Sequence, residues 1–595
     1  MRSLRHLNKY FLKYKWRFLL GILFIVASNI FAVKAPQVVQ EAIDKISEML
    51  GEYEKGPSTG FQEKVTEYAI GFAGLYLLYF FLKGFFLFLT RQTIIVMSRF
   101  IEYDLKNEIY AHYQTLTMGF YKRNNTGDLM NRITEDVTRV RMYLGPAVMY
   151  TINLLVLFIM AISVMVRMQP WLTLYILTPL PVLSVIIYFI SSVINRKSER
   201  VQRQQSRLST FVQEVFSGIR VLKAYDREAC FHDRFEKESE LYRDRSVDLA
   251  RTNAYFMPAV LLLIGLSTIL TIYLGGVWHI NGEGNVTLGT IASFVIYVNM
   301  LTWPFASVGW VTSLVQRAAA SQERINEFLR TEPEVTDPEN GLKPDIQGSI
   351  TFEKVSFSYP DSGIKALNEL SFRIETGKTL AVIGRTGAGK STIADLLIRQ
   401  YDPDDGRIMV DGVELREMSL ESLRSNIGYA PQEVFLFSDS IRNNIAFGVG
   451  EASDEAVEQA AADADVLDNI QATRDRFDTL LGERGVTLSG GQKQRLSIAR
   501  AIIREPRILI FDDCLSAVDT ETEDTILQNL DRLMEGRTTL IISHRVSSVK
   551  RADRIVVLDR GEKIEEGSHE ELVRKGGHYA EMHRKQLLEE GVLES

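Results

Sequence analysis

"KTLAVIGRTGAGKSTIADLLIRQY", Lys378 to Tyr401, is the stretch on which the fold turns. The run KTLAVI has the apolar character of a buried strand and IADLLIRQY has helical spacing; between them stands the pattern G-x-x-x-x-G-K-[ST]. In that strand–loop–helix setting Gly384, Arg385, Thr386, Gly387, Ala388 and Gly389 form a loop that can curl until successive backbone N–H groups point at a phosphate. The helix that follows adds its dipole. Lys390 then reaches the outer phosphates, Ser391 is placed to ligate Mg²⁺, and Thr392 continues the helix start.

Working outward, Tyr359 in VSFSYP offers an aromatic face to an adenine ring, although a tyrosine there also suits a half-buried core position. Downstream, LSGGQ at Leu488–Gln492 opens the helix KQRLSIARAII, so Ser489, Gly490, Gly491 and Gln492 make a second anion-binding helix start. Two such starts about a hundred residues apart are redundant in one nucleotide site. They make sense if each nucleotide is gripped by the loop of one subunit and the Ser-Gly-Gly turn of another. Beyond them, ILIFDDCLSAVD (Ile508 to Asp519) is an apolar strand that delivers Asp512 and Asp513 into a short turn. Paired acids at a strand end hold a cation or activate water.

A chain of 595 residues is too long for one domain. Composition divides it: residues 1 to about 320 carry long uncharged apolar runs, whereas 340–595 alternate short apolar runs with charged and glycine-containing segments of α/β type. The net charge of −7 and the lack of a basic stripe interleaved with aromatics exclude a nucleic-acid partner. Two cysteines, Cys230 and Cys514, give neither a disulfide framework nor a zinc site.

Six stretches reach the roughly 20 residues a bilayer crossing needs: Trp16–Val38, Tyr68–Thr90, Tyr143–Val166, Met168–Asn195, Asn253–His279 and Thr287–Gln316. Lys34 near the end of the first can snorkel to the interface. Length and the missing small-residue cleavage site argue against a signal peptide there. Residues 1–17 hold six Lys and Arg, while the outer loop 34–67 holds four lysines against seven acids, so both termini are expected in the cytoplasm. The inner segments 91–142 and 196–252 contain no proline and show helical spacing, so each reads as a helical hairpin. Arms of about 25 residues would project roughly 35–40 Å below the membrane.

The order Tyr359, GRTGAGKST, YAPQEVFLF, LGERG, LSGGQ, ILIFDD, SAVD and IISHR resembles the ATP-binding-cassette (ABC) family, and six preceding spans resemble an exporter half-transporter. TGDLMNRITEDV (126–137), SGIRVLKAY (217–225) and FDDCLSAVDTETE are similar to the bacterial Mdl-type multidrug-resistance-like and lipid exporter group. The resemblance implies a membrane α-helical domain at 1–324, with six transmembrane helices and long intracellular extensions, a linker at 325–348, and an α/β P-loop ABC ATPase domain at 349–595. It implies that ATP and Mg²⁺ are the cofactors. By the family pattern Asp512 and Ser391 hold Mg²⁺, Gln432 touches the metal and the attacking water, His544 meets the γ-phosphate, and Asp519 crosses the dimer. LGERG at 481–485 resembles the exporter X-loop, and the hairpin tips near Phe120–Thr126 and Ser217–Val221 resemble coupling helices.

One residue departs from the pattern: most members carry glutamate after the strand-end aspartate, and here it is Asp513. Aspartate is one methylene shorter, and a misplacement of about 1 Å can cost roughly 100-fold in rate. The expectation is therefore an ATP-driven exporter of an amphiphilic drug or lipid in the cytoplasmic membrane, working as a heterodimer with a second half-transporter that carries the glutamate. A homodimer with a working Asp513 and an ATP-gated channel or regulatory half are the alternatives. Tyr76, Tyr79, Phe80, Phe81, Tyr297 and Trp303 are candidates for lining the substrate cavity.

Overall fold

The computed structural model describes residues 3–55, 61–482, 485, 488–514, 528–529 and 531–589. Asp519, the Glu483–Arg484 pair of LGERG and the side chain of Trp303 lie outside the described residues. The chain divides into two compact units, Met1–His112 with Gly127–Thr331, and Tyr113–Thr126 with Glu332–Ser595.

The first unit is helical. Among the described residues four helices are long and apolar enough to cross a membrane: Lys15–Glu54, Phe61–Thr115, Thr126–Met168 and Glu228–Asn281. The other two expected spans fall on Pro170–Leu177 with Pro179–Ser217, and on Leu288–Leu329. None of the most apolar stretch of Phe61–Thr115 is buried within the chain, which suits a surface whose solvent is lipid. In one core cluster of this unit Val33, Met165, Ile176, Phe294 and Tyr297 pack together, and the Tyr297 hydroxyl donates to the Val33 carbonyl at 2.7 Å. Tyr297 is thus a packing residue here and not part of a cavity wall.

A second difference concerns residues 34–67, expected as an outer loop. Helix continues to Lys55 and resumes at Phe61, through Pro36. Beyond Val38 the apolar run stops, but Gln, Glu, Ala, Lys and Met follow, which propagate a helix without needing a buried face.

Both segments expected as inner hairpins turn through short helices, Met118–Arg123 and Ile219–Ala224, at the two expected tips. Where Arg132–Met142 lies along Leu288–Leu329, buried Asp136 accepts from Ser321 Oγ at 2.8 Å and from Arg324 Nε at 2.9 Å. That carboxylate raises the affinity of Arg324 for its proton.

The second unit contains two sheets. Strands β1 (Ile350–Ser358), β2 (Lys365–Ile374), β4 (Asp405–Val410) and β5 (Val413–Glu414) form an antiparallel sheet in the order β2-β1-β4-β5. The larger sheet runs β10-β9-β3-β8-β7-β6, with β3 (Thr379–Gly384), β6 (Ile427–Ala430), β7 (Ile508–Asp512), β8 (Thr538–Ser543), β9 (Arg554–Asp559) and β10 (Glu562–Gly567). All its pairings are parallel except β9 with β10. Side chains alternate between two cores: Ala381, Ile383, Leu509, Phe511 and Ile541 face one, and Leu380, Val382, Ile508, Ile510 and Leu540 the other. Burial on both faces is why these strands read as unbroken apolar runs.

Candidate nucleotide site

The site is built at the carboxyl ends of adjacent parallel strands, where open α/β sheets place ligands. The phosphate loop follows β3, His544 follows β8, Asp512 ends β7 with Asp513 next after it, and Gln432 lies just past β6. Four neighbouring strands therefore aim their exits into one cavity of about 570 Å³, lined by Tyr359, Thr386, Gly387, Gly389, Lys390, Ser391, Thr392, Gln432, Asp512, Asp513 and His544, with Ile364, Lys365, Ala366 and Arg560. Gly384, Arg385 and Ala388, also expected to cradle phosphate, line an adjoining cavity with His544 and Arg560.

The loop's shape needs its glycines. Gly387 and Gly389 have φ of +83° and +94°, in the left-handed region open to glycine. The Lys390 ammonium donates to the Gly384 carbonyl at 2.8 Å and to that of Arg385 at 3.0 Å, and burial draws its pKa below the lysine range against the pull of both aspartates. A phosphate in the loop would give this ammonium a charged acceptor in place of two carbonyls.

Asp512 is 2 % exposed and accepts from Ser391 Oγ at 3.1 Å; burial pushes its pKa up to about 6. A carboxylate and a hydroxyl brought together in a buried place, with too little positive charge for the carboxylate, are a hard-oxygen set that fits Mg²⁺.

Asp513 makes a different set of contacts from its neighbour. Its backbone φ is +49° and its N–H donates to the Ile542 carbonyl at 2.7 Å. One carboxylate oxygen lies 2.8 Å from His544 Nδ1 and the other accepts from Gln432 Nε2 at 3.2 Å. Asp513 is thus held between Gln432, expected at the metal and the attacking water, and His544, expected at the γ-phosphate.

Tyr359 lines the same cavity, its hydroxyl 2.9 Å from Thr392 Oγ1, and burial raises its pKa. Sequence reading missed what lies around it. The ammonium of Lys122, on the short helix Met118–Arg123 that belongs to this unit, sits 4.6 Å from the Tyr359 ring centroid and 5.5 Å from that of Tyr401. Nearby Asp395, whose carboxyl is raised by burial, accepts from the Tyr359 hydroxyl at 3.4 Å. Nothing local in FYKRNN marks Lys122 as a neighbour of Tyr359.

Ser489, Gly490, Gly491 and Gln492 are not among the described residues that line this cavity. They form a capped helix start, Ser489 Oγ accepting from the Gln492 N–H while the Gln492 side chain accepts from the Ser489 N–H. The helix Gly490–Ile502 behind it is anchored in the core, which fixes the turn at that helix's N-terminal end.

Two family models match the chain. Residues 18–305 match the ABC transporter transmembrane region and residues 367–516 match the ABC transporter model. The chain is 34% identical over 587 residues to the "Probable multidrug resistance ABC transporter ATP-binding/permease protein YheI" of Bacillus subtilis (strain 168), covering 98% of both chains. It is 36% identical over 487 residues to the "Multidrug resistance-like ATP-binding protein MdlA" of Escherichia coli (strain K12), covering 82% of each. Against the "ATP-dependent lipid A-core flippase" of Alcanivorax borkumensis it is 36% identical over 493 residues, covering 82% of this chain and 84% of the other. Among solved structures, a bacterial Atm1-family ABC exporter with ATP bound superposes with a TM-score of 0.79 at 28% identity, over 96% of this chain and 98% of that one.

Proposed function

The chain belongs to the ABC transporters, membrane proteins that couple ATP hydrolysis to transport, and on that premise we propose that it is one half of a dimeric exporter that carries an amphiphilic drug or lipid across the cytoplasmic membrane. One observation carries the dimeric reading. The cavity that gathers the phosphate loop, Asp512, Asp513, Gln432 and His544 does not include the chain's own Ser489–Gln492 turn, so each nucleotide is closed by the turn of a second chain. The multidrug and lipid relatives support the substrate class.

Lys390 and the loop N–H groups bind the phosphates of ATP, and Tyr359 receives the base. Ser391 and Asp512, with Gln432, would hold Mg²⁺, which when bound would neutralise charge on the phosphates. Gln432 and His544 orient the water and the γ-phosphate, and Asp513 takes the water's proton. Closure of two such units on two nucleotides converts an inward-facing membrane region to an outward-facing one. Residues 1–324, 325–348 and 349–595 serve as membrane domain, linker and ATPase, with Tyr113–Thr126 grouped with the ATPase unit and the helix Leu288–Leu329 running into the linker, and both termini lie in the cytoplasm.

We assign this chain the slow site of a heterodimer, because Asp513 lacks the reach of glutamate and both its oxygens are engaged by Gln432 and His544. The same engagement favours the second reading, a homodimer in which the His544–Asp513–Gln432 cluster is already an ordered base. Inverted vesicles decide between them: ATP-driven uptake of a fluorescent amphiphile against its gradient is expected only when a second, glutamate-bearing half is co-expressed. Equal uptake with this chain alone would establish the homodimer, and dissipation of the gradient without uptake would establish a channel.

A further inference from the structure

The long helix Pro179–Ser217 carries no charge from Pro179 to Asn195 and then turns basic. Lys197, Arg200, Arg203 and Arg207 fall within roughly 120° of its circumference and over about 15 Å of its length. These four, with Arg245 and Asp248 of the facing helix Glu228–Ala254, line a separate concavity of about 340 Å³. Five cations against one carboxylate is more than an inside-positive bias requires, since that bias asks only for cations somewhere near the span and not for their convergence on one hollow.

The hollow is built, not incidental. Beside it Gln204 is fully buried, donating to the Glu238 carbonyl at 3.0 Å and to the Glu238 carboxylate, and accepting from Arg245 Nη1 at 3.1 Å. Arg245 Nη1 also reaches the Arg200 carbonyl at 3.4 Å, so its position is set from two sides. Lys197 spans the two helices to Asp248 at 2.7 Å and Thr252 at 2.9 Å, and Arg203 pairs with Glu199 on its own helix at 2.5 Å. Arg200 and Arg207 are exposed and make no ion pair among the described residues. Their guanidinium groups therefore add charge to the hollow that no direct ion pair among the described residues takes up, in a planar form suited to a phosphate.

We infer that this hollow is a binding site for a phosphate-type oxyanion. Its position, beginning where the apolar run of Pro179–Ser217 ends, matches the headgroup level of the inner leaflet, so an anionic amphiphile could place its head here and its tails beside the span. This rests on the cytoplasmic placement of the arms proposed above, but the binding test in detergent does not: binding there without inner-leaflet access would fault the topology and leave the site standing.

The purified full chain in a neutral detergent is titrated with dioctanoyl phosphatidylglycerol, with dioctanoyl phosphatidylcholine as the uncharged-headgroup comparison, and bound lipid is counted by native mass spectrometry. Arg200→Gln with Arg207→Gln should weaken phosphatidylglycerol binding at least about tenfold, through loss of two charge-assisted contacts. Arg234→Gln with Arg243→Gln removes the same charge from the same hairpin outside the hollow and should leave binding unchanged. Competition by inorganic phosphate distinguishes the sources: displacement of the lipid supports a site for the free oxyanion, and retention supports one that needs the lipid's headgroup and tails together. Equal loss in the two double variants, or equal binding of the two lipids by the parent chain, would overturn the proposal.

Discussion

Asp513 sits at φ +49°, a backbone region that aspartate tolerates better than most side chains. A longer acid there gains reach toward water and pays about 1 kcal/mol in backbone strain. That is smaller than the roughly 2.7 kcal/mol that separates rates 100-fold apart. Asp513→Glu should therefore speed the slow phase of single-turnover ATP hydrolysis by the complex, by up to about 100-fold, with ATP affinity unchanged. If the slow phase does not move while Asp513→Asn abolishes turnover, Asp513 is a competent base as it stands. Lys390→Ala removes the ammonium now held by the Gly384 and Arg385 carbonyls, and should lower affinity for a fluorescent ATP analogue about 10–100-fold at one site of the complex. Both aspartates and the loop were legible in the sequence because each is defined by residues a few positions apart. Lys122 was not, since its relation to Tyr359 exists only once residues more than two hundred positions apart have come together.

At the scale of elements, the strands declared themselves as apolar runs because both faces of the larger sheet are covered. Helix ends were harder to read: the Lys15–Lys55 helix outlasts its apolar run, since polar helix formers can extend it in water. The tie between Arg132–Met142 and Leu288–Leu329 was invisible for another reason, as an acid at position 136 looks like any solvated charge until Ser321 and Arg324 are brought to it. Asp136 is 3 % exposed, whereas the Arg324 side chain is 43% exposed, so solvent screens part of the pair. Asp136→Ala should then cost about 1–3 kcal/mol, less than a fully buried pair would, and lower the midpoint of thermal unfolding in detergent. An unchanged midpoint would mean that the contact contributes nothing. Lys122→Met keeps the stem and removes the charge above the Tyr359 ring. It should loosen the Met118–Arg123 helix from the second unit by roughly 0.5–1 kcal/mol, seen as faster amide exchange of that helix.

The whole molecule offers its own topological probe. Cys230 is exposed on the second inner hairpin, while Cys514 is buried behind Asp513, with its thiol pKa pushed up by burial. A membrane-impermeant maleimide should leave intact cells unlabelled at this chain and react once the membrane is opened, and Cys230→Ser should abolish that reaction. Glu283→Cys, in the outer turn between Phe256–Asn281 and Leu288–Leu329, should be labelled from outside without opening the membrane. Labelling of Cys230 in intact cells would invert the orientation.

The second unit is discontinuous in the chain: Tyr113–Thr126 belongs to it, yet its remainder begins at Glu332. A ribosome working at about 5–20 residues per second therefore releases Lys122 some 10–40 seconds before Glu332 is made. Over that interval the segment waits without the aromatic pair it will lie against. Completion of the second unit is thus obliged to follow synthesis of the helices encoded between, and a fragment starting at Glu332 would emerge with the place of Met118–Arg123 unfilled.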